Sequence, residues 1–229
     1  MTKSAILAID AATEACSVAL DYNGQQYHRF EVCPQQHSQR ILPLVDEVLK
    51  QAGVKLAQLD AIAFSTGPGS FTGVRIGVSV AQGLAFGADL PMIAVSTLQT
   101  MAQGAIRLND AKAINVAIDA RMGEIYTNEY RNCDGIAEPV ASDCVIKPQE
   151  VDYQITDSVH CAGTGWQSYP AQLAAKVAQY MNTEVLYPDA LDMLVLAQRA
   201  VAQGEQVQAS QAQPVYVRDT VTWKKLPGR

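Results

Sequence analysis

Residues 61–85 constrain this chain more than any other stretch. The apolar run Ala61-Ile62-Ala63-Phe64 has the length and composition of a buried strand. It is cut off by Ser65-Thr66-Gly67-Pro68-Gly69, where Pro68 fixes its own φ and the glycines reach backbone angles closed to other residues. Ser70 or Thr72 then caps a helix. In that helix Gly73, Gly77, Ala81 and Ala85 recur at every fourth position and form a ridge of very small side chains. A helical glycine costs roughly 1 kcal/mol against alanine, so two on one ridge imply that another backbone passes very close. A Gly-rich turn between strand and helix also suits phosphate. Here no Gly-Lys-Ser/Thr comes after it, so the lysine and metal-binding hydroxyl of a P-loop are missing. Close packing is the better reading of the turn.

The rest of the chain reads as strands and helices around this unit. Ser4 to Asp10 is a buried strand, and Cys16 to Asp21 pairs with Gln25 to Val32 across a Tyr22-Asn23-Gly24 turn. A helix from Ser38 to Ala52 carries Ile41, Val45, Val48 and Ala52 on one stripe, and Gly53 ends it. Pro91 to Val95 is a short strand, and Ser96 caps a helix to about Ile106. A second half begins near Asn109, with strands at Ala113–Ile118 and Glu124–Tyr130. Here Ala8-Ile9-Asp10-Ala11 recurs as Ala117-Ile118-Asp119-Ala120 in a matching context, which points to internal duplication. Val159 to Ala162 is a strand before Gly163-Thr164-Gly165, and helices fit Trp166–Met181 and Asp189–Gly204. The expected architecture is two α/β subdomains, 1–108 and 109–229, each with a mixed sheet flanked by helices.

Composition narrows the chemistry. With 48% hydrophobic and 17% charged residues the chain is a folded globular protein. A net charge of −6 argues against gripping nucleic acid by its phosphates, so any such contact is local or indirect. Five cysteines without CxxC spacing fit buried free thiols in a reducing compartment, and neither a zinc site nor a disulfide framework. The apolar run that Asp10 closes is too short for a signal peptide or a membrane span, so a cytoplasmic location is expected.

Few residues offer catalysis. Asp10, with small residues and Thr13 after it, resembles the first phosphate loop of the actin, sugar kinase and Hsp70 ATPase fold, and Asp119 opens the second copy. The glycines around both are thin, which favours loop-capping aspartates over catalytic ones. Gly163-Thr164-Gly165 lies where that fold holds adenosine, but a turn leading into a helix explains it as well. His28, His37 and His160 lack a second ligand at helical metal-site spacing. No catalytic, metal or nucleotide residue is assigned.

The run from Ile62 to Val95 resembles the TsaB (YeaZ) family, the non-catalytic partner subunits of the bacterial tRNA threonylcarbamoyladenosine synthesis complex. So do Asp10-Ala11-Ala12-Thr13-Glu14-Ala15-Cys16-Ser17, Asp119-Ala120-Arg121-Met122-Gly123-Glu124 and Pro214-Val215-Tyr216-Val217-Arg218. The resemblance implies an actin-like, Hsp70-like (ASKHA) fold and pairing with the catalytic paralogue TsaD. It further implies an ATPase subunit, TsaE; ATP used by the complex but no cofactor bound by this chain alone; a homodimer when the partner is absent; and indirect or weak tRNA contact without a membrane. TsaD carries two metal-binding histidines four residues apart just after the strand matching Pro91–Val95. Thr97 and Met101 occupy those positions here, and neither replaces imidazole. The competing reading is an independent actin-fold ATPase or a glycoprotease-like peptidase.

Two expectations concern surfaces. The helices from Ser38 and Phe71 are expected to meet the partner through Ile41, Val45, Val48, Gly73, Val74, Gly77 and Ala81. Ile76, Val80 and Leu84 are then left to cover the chain's own sheet, and Gly77→Leu should spare the monomer. The basic tail with Arg218, Trp223, Lys224, Lys225 and Arg229 either docks on its own domain or contacts the partner or tRNA.

Overall fold

The computed structural model describes residues 4–218. Trp223, Lys224, Lys225 and Arg229 therefore lie outside the described residues. The first half runs β1 (Ile6–Asp10), β2 (Ala15–Tyr22), β3 (Gln25–Val32), α1 (His37–Ala52), β4 (Ala61–Ser65), α2 (Phe71–Ala88), β5 (Met92–Val95) and α3 (Thr97–Asn109). The second runs β6 (Ala113–Arg121), β7 (Glu124–Cys133), β8 (Ile136–Pro139), β9 (Cys144–Ile146), β10 (Val159–Ala162), α4 (Gly165–Ser168), α5 (Pro170–Ala174), β11 (Tyr180–Asn182) and α6 (Ala190–Gln203).

The two sheets repeat one topology. The first has strand order β3-β2-β1-β4-β5, with β1, β2 and β3 antiparallel and β4 and β5 parallel to β1. The second has order β8-β7-β6-β10-β11 with the same directions, and β9 adds to the side of β7. This doubled plan is the actin-like ASKHA architecture, and it puts Asp10 and Asp119 at equivalent strand ends. Both faces of β1 are covered, which explains its unbroken apolar sequence. Leu7 and Ile9 face the cluster with Ile41, Leu44, Val45 and Phe64, while Ile6 and Ala8 face Met193, Leu194 and Ala197 of α6.

That last contact crosses the boundary expected at 108/109, which divides the strands but not the helices. Leu98, Met101, Ala102 and Ala105 of α3 pack on Ile114, Val116 and Ile118 of the second sheet, while α6 returns to the first. Each half thus lends a helix to the other. The lent helices touch where Arg107 Nε donates to Asp192 Oδ1 at 2.6 Å. Burial pushes the Asp192 carboxyl above its ordinary range, and the Arg107 hydrogen bond opposes that shift. Gly104 makes the approach possible, since a Cβ there would lie 2.8 Å from Asp192 Oδ2.

Caps sit where their residue types predict. The Ser70, Ser96 and Asp189 side chains accept from the backbone of Gly73, Gln99 and Leu191 at the starts of α2, α3 and α6. The helix expected over Trp166–Met181 is instead two short pieces and a strand. Pro170 disfavours helical backbone at Tyr169, which stands at φ −132°. Strands β8, β9 and β11, of three or four residues each, lie below the length at which periodicity speaks. Cys16, Cys33 and Cys161 are buried free thiols as expected, but Cys133 and Cys144 are exposed.

Candidate functional site

In each half the glycine turn after a parallel strand is packed against a neighbouring stretch of the chain's own backbone. The backbone N–H of Ser70 donates to the Ala12 carbonyl at 2.7 Å, which lays the Gly-Pro-Gly turn on the β1–β2 loop. A Cβ at Gly69 or Gly73 would lie 2.2 Å from the carbonyl oxygen of Ala12 or Ala11, and one at Gly77 would meet Ala11 Cβ at 3.5 Å. The glycines are thus explained by a neighbouring backbone. The second half closes likewise, since a Cβ at Gly163 would stand 2.2 Å from the Ala117 carbonyl oxygen.

Asp10 is buried beneath this packing. Its Oδ1 accepts from the Ala12 N–H at 3.0 Å. Burial raises its pKa to about 7, against hydrogen bonds from Ala12 and Ser65 that favour the charged form. Asp119 does not mirror it. The Asp119 carboxylate accepts from the backbone N–H and the guanidinium of Arg121, at 2.9 and 3.1 Å. Arg121 also reaches Glu14 on the first loop at 3.2 Å, so a side chain bridges the two loops.

Thr97 and Met101 are fully buried on the inner face of α3. The Thr97 hydroxyl lies 2.6 Å from Ser65 Oγ, and Met101 packs in the core of the second sheet. His28 pairs with Asp189 at 2.7 Å, and burial lowers the pKa of His160. Among the described residues, no three His, Cys, Asp or Glu side chains gather into a group that could hold a metal ion.

The expected partner residues require correction. Ile41, Val45 and Val48 belong to the core, and Gly73, Val74, Gly77 and Ala81 face inward on α2. The physical reason is the loop at Ala11–Ala12. A helix packed on a backbone turns its smallest residues inward, here together with Val74 and Val78, and leaves Ile76, Val80 and Leu84 only partly covered at the edge of the core. Ile76 and Val80 are accordingly half-buried and line an open groove of about 440 Å³ with Ser38, Phe71, Arg75 and Ser79. Phe71 is 57% and Phe86 82% exposed, so the outer side of α2 is apolar and open in this chain.

The sequence does not single out three members of this surface: Phe71, Arg75 and Tyr216. The Arg75 guanidinium carbon sits 3.6 Å from the Phe71 ring centroid, and its Nε donates to the Tyr216 hydroxyl at 2.8 Å. Tyr216 comes from a tail segment 141 residues further on, so no local pattern links the pair.

Residues 30–226 match the family model described as TsaD, tRNA N6-adenosine threonylcarbamoyltransferase. The chain is 50% identical over 228 residues to the tRNA threonylcarbamoyladenosine biosynthesis protein TsaB of Escherichia coli (strain K12), across 98% of this chain and 99% of that protein. It is 44% identical to the protein of that name from Haemophilus influenzae, over the full length of both. Among solved structures, YeaZ from Pseudomonas aeruginosa is similar with a TM-score of 0.86 and 44% identity, covering 93% of this chain and 99% of that one.

Proposed function

The chain belongs to the TsaB (YeaZ) family of tRNA threonylcarbamoyladenosine biosynthesis proteins, and from that premise we propose that it is the non-catalytic subunit supporting threonylcarbamoyl transfer to the adenosine next to the anticodon, acting by pairing with TsaD. One observation carries this reading: the glycine turn after β4 is packed against the chain's own backbone at Ala11 and Ala12. Phosphate binding needs free N–H groups and room at the turn. Here the Ser70 N–H is spent on Ala12, and the Ala11 and Ala12 carbonyl oxygens stand against Gly73 and Gly69. Carbonyl oxygens at that place repel an anion. A metal-dependent transfer needs ligands, and Thr97 and Met101 supply none.

What the chain offers instead is the outer face of α2. On this reading TsaD covers that groove with a corresponding helix pair, and a second copy of this chain covers it when TsaD is absent, as shared ancestry allows. TsaE supplies the ATPase, ATP is consumed by the assembled complex, and this chain alone holds no cofactor. With a net charge of −6, tRNA contact is indirect or weak. The setting is the cytoplasm, without a membrane role. Among the described residues, no helix is long and apolar enough to cross a membrane.

The test is biochemical reconstitution. The purified chain should turn over no nucleotide, cleave no peptide and retain no stoichiometric transition metal after extensive dialysis, yet TsaD and TsaE should need it to modify tRNA. Nucleotide turnover by the chain alone, or one tightly held metal per chain, would favour the independent ATPase or peptidase.

A further inference from the structure

The packing of the chain continues past α6. Val207 and Met92 exchange two backbone hydrogen bonds of 2.8 and 2.9 Å, and Gln82 of α2 donates to the carbonyls of Ala209 and Ala212. The Val215 N–H then donates to the Thr66 carbonyl at 2.9 Å, laying the segment over the Gly-Pro-Gly turn. Tyr216 closes on Phe71, with ring centroids 6.0 Å apart, and takes the Arg75 hydrogen bond. Two residues on, the chain has crossed to the other half. There Arg218 Nη2 donates to Glu124 Oε2 at 2.5 Å, and its guanidinium lies 5.7 Å from the Tyr126 ring centroid. Arg121, on the same β6–β7 hairpin, also holds Glu14 of the first half. Under the segment lies an apolar cavity of about 370 Å³ between Pro68, Val74 and Tyr126.

We propose that residues 214–218 are a strap that completes the partner face of α2: Tyr216 positions Phe71 and Arg75, and Arg218 ties that arrangement to the β6–β7 hairpin of the other half. An exposed arginine ordinarily loses rotamer freedom when an interface forms. Arg75 already lies over the Phe71 ring at 3.6 Å and is hydrogen-bonded through Nε to the Tyr216 hydroxyl, so less of that freedom is left to lose. The partner that fits is an apolar helix with a carboxylate opposite Arg75. The strap also makes the face depend on a pair more distant than any residue of the groove. Loss of the Arg218–Glu124 contact loosens Val215 and Tyr216 and with them Phe71 and Arg75. The partner half of this inference rests on the pairing proposed above.

The experiment measures amide hydrogen exchange of the full chain without a partner, then affinity for TsaD. Arg218→Gln keeps the side chain's length and removes the charge. Exchange should become about fivefold faster at Val215, across 66–74 and across 124–126. Affinity for TsaD should fall by a similar factor. Tyr216→Phe keeps the ring, so exchange should stay at the wild-type rate while TsaD affinity falls. Unchanged exchange across 66–74 in Arg218→Gln would overturn the strap, whatever TsaD does. Wild-type affinity in Tyr216→Phe would overturn the positioning of Arg75. If exchange responds but Phe71→Ala and Arg75→Ala bind TsaD normally, the pairing reading falls and the strap between the halves stands.

Discussion

After β4 in the first half and after β10 in the second, the chain makes a glycine-bounded turn towards a helix. Both turns sit so close to another backbone that a Cβ would lie 2.2 Å from a carbonyl oxygen, at Gly69 and Gly73 in one and at Gly163 in the other. Beyond the turns the halves part. The first continues into the 18-residue α2, whose outer face is open. The second gives only four residues of α4 before Tyr169-Pro170, and Trp166 is stacked between Tyr153 and Tyr180. The two halves share the close packing at the strand ends and differ in the helix beyond each turn. One half presents a surface, and the other buries Trp166 and Tyr153 against itself.

The aspartates offer the sharpest way to break this comparison. Asp10 has a folded pKa of about 7 against an ordinary 3.8. Below about pH 4 it is neutral in both states. Between pH 4 and 7 the unfolded chain ionises while the native one keeps its proton, so stability falls as pH rises, by up to roughly 4 kcal/mol at pH 8. Asp10→Asn should lack that decline and become the more stable protein at pH 8. Asp119→Asn removes an ion pair with the exposed Arg121 and should cost less than about 1 kcal/mol. Urea midpoints from pH 4 to 8 check both, and parallel profiles for wild type and Asp10→Asn would contradict a buried neutral acid.

The closing glycines come next in size. Gly73→Ala and Gly163→Ala should each destabilise by about 3 kcal/mol, since backbone must move. Gly77→Leu should now collapse the melting temperature, the opposite of the sequence-based expectation, because its side chain would point at Ala11. Melting at wild-type temperature for Gly73→Ala would show that the turn has slack.

Smallest are the outward glycines of α2. Nothing lies within 4 Å of a Cβ at Gly83 or Gly87. Gly83→Ala and Gly87→Ala should therefore each stabilise the chain at concentrations where it is monomeric, by up to about 1 kcal/mol, through helix propensity alone. Calorimetry decides this, and destabilisation by either would mean that the outer face is occupied.

The sequence is informative where elements are long and caps are strong. The hairpin at Asn23-Gly24, the helices capped by Ser70, Ser96 and Asp189, and the doubled Ala-Ile-Asp-Ala are all legible in it. The close approach behind Gly73 and Gly77 is legible too, but not its direction. Spacing identifies a face of a helix, whereas the neighbour that meets it is a tertiary fact. A hydrophobic stripe usually marks the inside, so the pattern alone points Ile76 and Val80 inward and the small ridge outward. The exchange of α3 and α6 leaves no local trace, because both helices are apolar enough to pack on either sheet. The pairing of Arg75 with Tyr216 escapes for the same reason, since its partners lie 141 residues apart.

The central claim is that this chain acts by presenting the outer groove of α2, and Ser79 tests it most directly. It is exposed, lines the groove, and supports no core contact. At concentrations where the chain alone is monomeric, Ser79→Arg should leave the melting temperature within about 1 °C, as surface substitutions do. It should weaken TsaD binding by roughly thirtyfold or more, the loss expected when a charge enters the centre of an interface. Isothermal titration of TsaD into wild type and variant, beside matched melting curves, gives both numbers. An unchanged affinity with an unchanged melting temperature would contradict the account.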